Sequence, residues 1–279
     1  MKLATFERGG APQTGIVIGD SIVATGLPGS MIDLIANWQV LKGQLEAAAA
    51  RGERYALSSV RLLAPLQRPG KIFAIGLNYA DHIAESKMET PANQVWFTKA
   101  VTSVNGPYDP IEIARESAHV DYEVELVAII GKRARYIAST DAPAHVFGYC
   151  VGNDVTERLW QHCTPQWSLG KSFDTHAPIG PWITTADEIG IPHSLGLRCF
   201  VNGEKRQESN TEHLVFNLWD QIEHLSQAMT LEPGDLIFTG TPGGVGAATN
   251  PRQFLKAGDV VRCEIDKLGA IEARMVAGN

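Results

Sequence analysis

Apolar and polar residues change their spacing several times along the chain. Near the start, "TGIVIGDSIVAT" holds two short apolar runs around Gly19-Asp20, the pattern of a hairpin. "MIDLIANW" and "LKGQLEAAAARG" follow with helical spacing, the second closed by Gly52. Pro65, Pro69 and Gly70 then interrupt the pattern, which divides a small N-terminal domain (1–66) from a large one (67–279). Beyond that boundary short strand-like runs dominate: "KIFAIG", "YEVELVAIIG", "HVFGYCVGNDV", "LRCFVNGEKRQ", "GDLIFTG", "GDVVRCEID" and "IEARMV". Asn202-Gly203 is a strong hairpin turn. "NYADHIAESK" has helical character, and "LVFNLWDQIEHLSQAM" places Val215, Leu218, Trp219, Ile222, Leu225 and Met229 on one helical face, ended by Pro233-Gly234. The expected class is mixed α/β, strand-dominated.

Composition narrows the picture only a little. A chain of 279 residues with 44% hydrophobic and 20% charged positions can bury a sizeable core. A net charge of −7 speaks against nucleic acid or an anionic membrane as partner. No stretch reaches the roughly 18–20 apolar residues of a membrane span, and "MKLATFERGG" lacks the apolar core of a signal peptide, so a cytoplasmic location is expected. Cys150, Cys163, Cys199 and Cys263 show no CxxC spacing and read as free thiols.

Candidate chemistry begins in "DYEVEL", residues 121–126. Its period-2 alternation puts Glu123 and Glu125 side by side on one face of a strand that continues into the core-like "VAIIG". Four carboxylate oxygens in a small volume are most simply reconciled by a hard divalent cation. Alone, the pair also reads as a solvated strand face. Asp154, at the end of the apolar run "YCVGND", adds a third carboxylate; alone it reads as a turn or helix cap, with Glu157 and Arg158 in the first helical turn after it. In "GLNYADHIAE", His82 and Glu85 lie three apart, neighbours on a helix, where the carboxylate would fix the imidazole's tautomer and raise its basicity. The same spacing occurs in surface pairs. "LGKS" lacks the upstream glycine of a phosphate loop, and "TPGGVG" does not complete a dinucleotide fingerprint. No HExxH or GxSxG is present.

In order, "FAIGLNYADHIAE", "DYEVELVAIIGK", "GYCVGNDVTERLWQ", "GKSFDTHAPIGPWI", "NGEKRQESNT" and "GDLIFTGTPGGVG" resemble the fumarylacetoacetate hydrolase superfamily over about residues 70–275. The first 65 residues resemble the small extra domain of many bacterial members. The resemblance implies a β-roll with flanking helices, and Glu123, Glu125 and Asp154 as ligands of Mg²⁺ or Mn²⁺, with Ca²⁺ as a further hard cation. It implies a water-activating pair, His82 and Glu85, on a segment of about 80–95 that closes over substrate. Lys171 matches the family's active-site lysine, while Gln161 and Thr241 match positions that touch substrate oxygens. Read from the residues alone, Lys171 could be a snorkelling surface lysine, Gln161 an exposed helical residue and Thr241 plain turn chemistry. His162, His176 and His193 match no catalytic position and read as structural. Leu77, a variant common among larger members, stands where some small pyruvate-directed members carry arginine, which weakens the transfer of the small members' substrates, such as oxaloacetate. The expected enzyme is a metal-dependent hydrolase of a carbon–carbon bond in a β-diketo acid of the acylpyruvate type, of use in aromatic-compound catabolism. The alternative is a decarboxylase, isomerase, hydratase or tautomerase of a 2-oxo acid. A homodimer is expected from the resemblance alone.

Overall fold

The computed structural model describes residues 1–86, 89–115 and 117–278. Strands dominate it. The larger sheet runs Arg54–Ala56, Ser21–Ala24, Gln13–Ile18, Lys2–Glu7, Ala177–Thr185, Val146–Asn153, Val124–Ile130, Leu236–Phe238, Ile72–Gly76 and Val95–Thr98. A second sheet runs Glu204–Asn210, Gly196–Val201, Val260–Ile265, Gly269–Ala277 and Ile111–Ile113. Among the described residues no helix is long and apolar enough to cross a membrane.

Val124–Ile130 explains why its sequence is nearly continuous in apolar residues. Val124, Leu126, Ala128 and Ile130 pack in one core with Leu197, Cys199, Val261 and Cys263 of the second sheet. Val127 and Ile129 pack in another with Phe147, Cys150 and the helix residues Met31, Leu34 and Leu45. A strand buried on both faces has no polar side to alternate with. Glu123 and Glu125 share the second face by period and occupy its open end.

Several strands escaped the sequence pattern, and two of them join the N-terminal strands to the rest of the larger sheet. Lys2–Glu7 pairs with Gln13–Ile18 on one side and Ala177–Thr185 on the other, carrying the N-terminal strands into the larger sheet. Ala177–Thr185 contains Pro178, Gly180 and Pro181, which read as breakers in sequence, yet it lies between Lys2–Glu7 and Val146–Asn153. The predicted hairpin at Asn202-Gly203 forms, with positive φ at both residues (52° and 81°) as its turn type requires.

The long helix is shorter than its pattern suggested, spanning Leu218–Ala228. Asn217 caps it by accepting the Trp219 and Asp220 N–H groups, so Val215 lies ahead of the helix. Met229 leaves the helix in extended backbone and is exposed, well before Pro233-Gly234. Gln221 and Ser226 are buried on the inner face beside Leu218, Ile222 and Leu225.

One buried side chain ties this region to the helix Ala80–Ser86. Asn78 donates from Nδ2 to the carbonyls of Phe216 (3.0 Å) and Thr239 (2.8 Å), and its Oδ1 accepts the Phe216 N–H at 2.8 Å. Its own carbonyl accepts the Val215 N–H. Asn78→Ala therefore strands several buried polar groups and is expected to lower the unfolding free energy by about 1–3 kcal/mol, read by urea denaturation. A loss within about 0.5 kcal/mol, typical of a surface change, would mean Asn78 does not hold this junction.

Candidate active site

Strand pairing assembles the three carboxylates. Val124 pairs with Asn153 and Glu125 with Gly152, and the Asp154 N–H donates to the Glu123 carbonyl at 2.9 Å, continuing the ladder by one residue. Asp154 thereby stands across from Glu123, with Glu125 two residues along the same face. All three are buried, and one oxygen from each lies within 4.8 Å of the others.

Cations enclose the group on one side. Lys171 Nζ sits 2.6 Å from both Glu123 Oε2 and Asp154 Oδ2, and Lys99 Nζ sits 2.6 Å from Asp154 Oδ1. Arg158 reaches Glu123 Oε1 and Asp121 Oδ2, each at 2.8 Å. Burial alone would push the Glu123 carboxyl up, but Lys171 and Arg158 outweigh it and hold it below its ordinary value. Burial likewise works against the Lys171 ammonium, yet Asp154 and Glu123 raise its pKa overall.

Glu125 differs. Its Oε2 accepts the Gly240 N–H at 2.8 Å, but among the described residues it has no ion-pair partner. Burial, then the nearby Asp154 and Glu123 charges, push its carboxyl well above the ordinary range. Four acids (Asp121, Glu123, Glu125, Asp154) thus meet three bases (Lys99, Arg158, Lys171), and the uncompensated charge falls on Glu125. An all-oxygen donor set with a charge deficit fits a hard divalent cation.

His82 and Glu85 lie on the helix Ala80–Ser86, with Nδ1 3.7 Å from Glu85 Oε2, longer than a hydrogen bond. The imidazole beside it and the Gly244 N–H (2.8 Å) hold the Glu85 carboxyl below its ordinary value, partly offset by burial. Asp81 accepts the Gly243 N–H and the Ser209 hydroxyl. The glycine-rich "TPGGVG" turn is therefore a row of amides on which the helix docks. Residues 87 and 88 of the expected closing segment lie outside the described residues.

His82, Glu85, Glu123, Glu125, Gln161, Lys171 and Thr241 all line one cleft of about 310 Å³, and Asp154 sits behind it, fully buried. Gln161 Oε1 accepts from Arg158 at 3.0 Å, which leaves its amide N–H groups as what it can offer. The Thr241 hydroxyl donates to the Val124 carbonyl (3.0 Å) and accepts from Gln207 Nε2 (2.9 Å), so its side chain holds the strand's start. Gly170 packs so tightly on the helix Arg158–His162 that a Cβ there would lie 2.2 Å from the Gln161 nitrogen, which sets the approach of Lys171.

Several participants were missed in the sequence. Asp121, on the same face as the two glutamates, accepts Gly246 and Ala247 N–H groups besides Arg158. Lys99, one residue past the strand Val95–Thr98, gave no signal beyond a lysine after an apolar run. His162, read as structural, lines the cleft together with Trp167 and Phe97. His176 is buried with Nε2 2.9 Å from the Glu112 carbonyl, and burial lowers its pKa to about 4. His193 Nε2 accepts the Leu218 N–H, away from the cleft lining.

Residues 71–276 match the family model described as "Fumarylacetoacetate (FAA) hydrolase C-terminal", and residues 1–65 match the "Rv2993c-like, N-terminal" model. A mitochondrial oxaloacetate tautomerase of Bos taurus is 48% identical over 221 residues, covering 78% of this chain and 70% of its own. Maleylpyruvate hydrolase from Sphingobium sp. SYK-6, solved with a manganese (II) ion and pyruvate, superposes with a TM-score of 0.85 at 36% identity over the full length of both chains. The fumarylacetoacetate hydrolase of Exiguobacterium antarcticum gives 0.89 at 35%, again over both full chains. A cleft lined by acidic groups, the matched models and these likenesses agree: the chain is an enzyme belonging to the fumarylacetoacetate hydrolase family.

Proposed function

We propose that the cleft hydrolyses a carbon–carbon bond in a β-diketo acid of the acylpyruvate type, giving pyruvate and a carboxylic acid, with Glu123, Glu125 and Asp154 holding Mg²⁺ or Mn²⁺. The observation that carries this reading is that one cleft is lined by His82, Glu85, Glu123, Glu125 and Lys171, with Asp154 behind it and a carboxylate oxygen within 4.8 Å of those of the two glutamates. When bound, the ion supplies Lewis-acid polarisation and a template for the substrate's carboxylate and 2-oxo group.

The chain's own residues account for the rest. Glu85, held as a carboxylate, faces His82 Nδ1, so Nε2 is free to take a proton from water. The resulting hydroxide adds to the distal carbonyl carbon. The carbon–carbon bond then breaks, its electron pair moving into the pyruvate fragment as an enolate, whose charge Lys171 and Arg158 stabilise. The proton taken by His82 returns to the enolate carbon. Fixed cations favour that developing charge more than they favour the neutral ketone.

A second reading has its own support: relatives at 48% identity are named oxaloacetate tautomerases. There His82 Nε2 would move a proton between carbon and oxygen, and no bond of the skeleton would break. The first residues around the three carboxylates serve both reactions.

Glu125→Gln keeps the side chain's shape and removes the unpaired charge. The metal-free protein is expected to melt no lower than wild type, while Mn²⁺ affinity falls by more than the roughly 10–100-fold typical of losing an outer partner. Unchanged Mn²⁺ binding by calorimetry would remove Glu125 from the ligand set. For the reaction, a panel of synthetic acylpyruvates with Mg²⁺ or Mn²⁺ should yield pyruvate as the diketone's ultraviolet absorbance disappears. His82→Ala should slow this by about 10²–10⁴-fold with substrate still bound. If wild type instead speeds keto–enol exchange of oxaloacetate and releases no pyruvate from any acylpyruvate, the tautomerase reading replaces the hydrolytic one.

A further inference from the structure

Lys99 is fully buried, stays out of the cleft lining, and cannot touch a substrate there. Its ammonium nevertheless meets three oxygens: Asp154 Oδ1 at 2.6 Å, the Val155 carbonyl at 3.4 Å, and the Lys171 carbonyl in a short contact. An ammonium has three donors and no acceptor, so this site uses its whole capacity. Its backbone is equally fixed, since the Lys99 N–H donates to the Ile72 carbonyl at 3.1 Å.

The acceptors belong to two segments that the Lys171–Asp154 ion pair and the Glu157 N–H to Gly170 carbonyl bond also join. Asp154 and Val155 follow the strand Val146–Asn153, whereas Lys171 lies on the loop after Gly170. From the end of a third strand, Val95–Thr98, Lys99 joins them. Asp154 is thereby held by both oxygens, Oδ1 by Lys99 and Oδ2 by Lys171, which also holds Glu123. A carboxylate so held cannot rotate to offer Oδ1 to the cleft.

We propose that Lys99 is a positioning residue that fixes the orientation of the Asp154 carboxylate by holding its Oδ1, so that metal affinity depends on a side chain that reaches neither metal nor substrate. This rests on the reading of Glu123, Glu125 and Asp154 as a metal nest. Outer partners of metal-binding carboxylates and imidazoles commonly contribute 10–100-fold to affinity, and Lys99 falls in that role through a fully desolvated contact.

The test is Mn²⁺ binding, by calorimetry or by electron paramagnetic resonance of the free ion, on chelator-treated wild type, Lys99→Met, Asp154→Asn and the double variant. Lys99→Met keeps length and apolar bulk and removes the ammonium. It is expected to bind Mn²⁺ 10–100-fold more weakly. In the Asp154→Asn background the same change should have almost no effect, because the clamp acts through Asp154. If Lys99→Met alone fails to fold, for lack of a partner to the buried carboxylate, the double variant removes both charges together and its comparison with Asp154→Asn still decides. Wild-type affinity in Lys99→Met, or a further tenfold loss in the double variant relative to Asp154→Asn, overturns the proposal. A wild type that binds no Mn²⁺ removes the metal reading itself, whereas a wild type that binds while Lys99→Met binds equally well removes only the clamp.

Discussion

The repulsion among Glu123, Glu125 and Asp154 is the constraint around which the rest is arranged. Two unit charges less than 4.8 Å apart repel by at least roughly 3 kcal/mol at an effective dielectric constant of about 20, before the cost of burying either is counted. A small fold could avoid this only by leaving the acids in water. Here they stand at the paired ends of two strands, Val124–Ile130 and Val146–Asn153, the first of which lies between two apolar cores, so their position is set by the same ladder that holds the cores together. The compensating cations come from elsewhere in the chain: Lys99 from a strand end, Arg158 from a short helix, Lys171 from the loop against that helix. They cover Glu123 and Asp154 and leave Glu125 without an ion-pair partner among the described residues, which is where a further cation is most needed.

The second layer is built from backbone amides. Asp121 accepts Gly246 and Ala247 N–H groups while it holds Arg158, Glu125 accepts Gly240, and Glu85 accepts Gly244. One glycine-rich stretch therefore sets the arginine, one carboxylate of the nest and the helix carrying His82. Amide donors suit this task because they orient carboxylates without adding a full charge that would compete for them. Gln207 adds a neutral bridge from the strand start at Val124 to Thr241.

Much of this was legible in the sequence, for physical reasons that differ by residue. Glu123 and Glu125 were visible because charge at period 2 inside an apolar run contradicts burial unless something compensates it. His82 and Glu85 were visible because helical spacing makes them neighbours. What the pattern could not show is contact between distant segments. Lys99 is one lysine after an apolar run, and nothing local says that it meets Asp154 fifty-five residues on. Arg158 read as a first-turn helical residue, which it is, but its burial between Asp121 and Glu123 depends on a fold-level approach. Ala177–Thr185 was missed because proline and glycine signal breaks locally, while pairing on both sides outweighs that signal. Val215 fits the helical period, yet the Asn217 cap ends the helix before reaching it.

Hydrolysis and tautomerisation would draw on the same carboxylates, the same lysine and the same imidazole, so the choice between them belongs to the far wall of the cleft. Hydrolysis needs a water within reach of His82 Nε2 and of a carbonyl carbon beyond the chelating group, so the cleft must accommodate an acyl chain past that point. Tautomerisation needs neither. Besides the acids and bases, the cleft is lined by Trp167, His162, Val245, Ala247 and Ala248. Under the proposed hydrolysis an acyl group beyond the diketone would have to lie against some part of this lining, whereas a compact 2-oxo acid would not have to reach it.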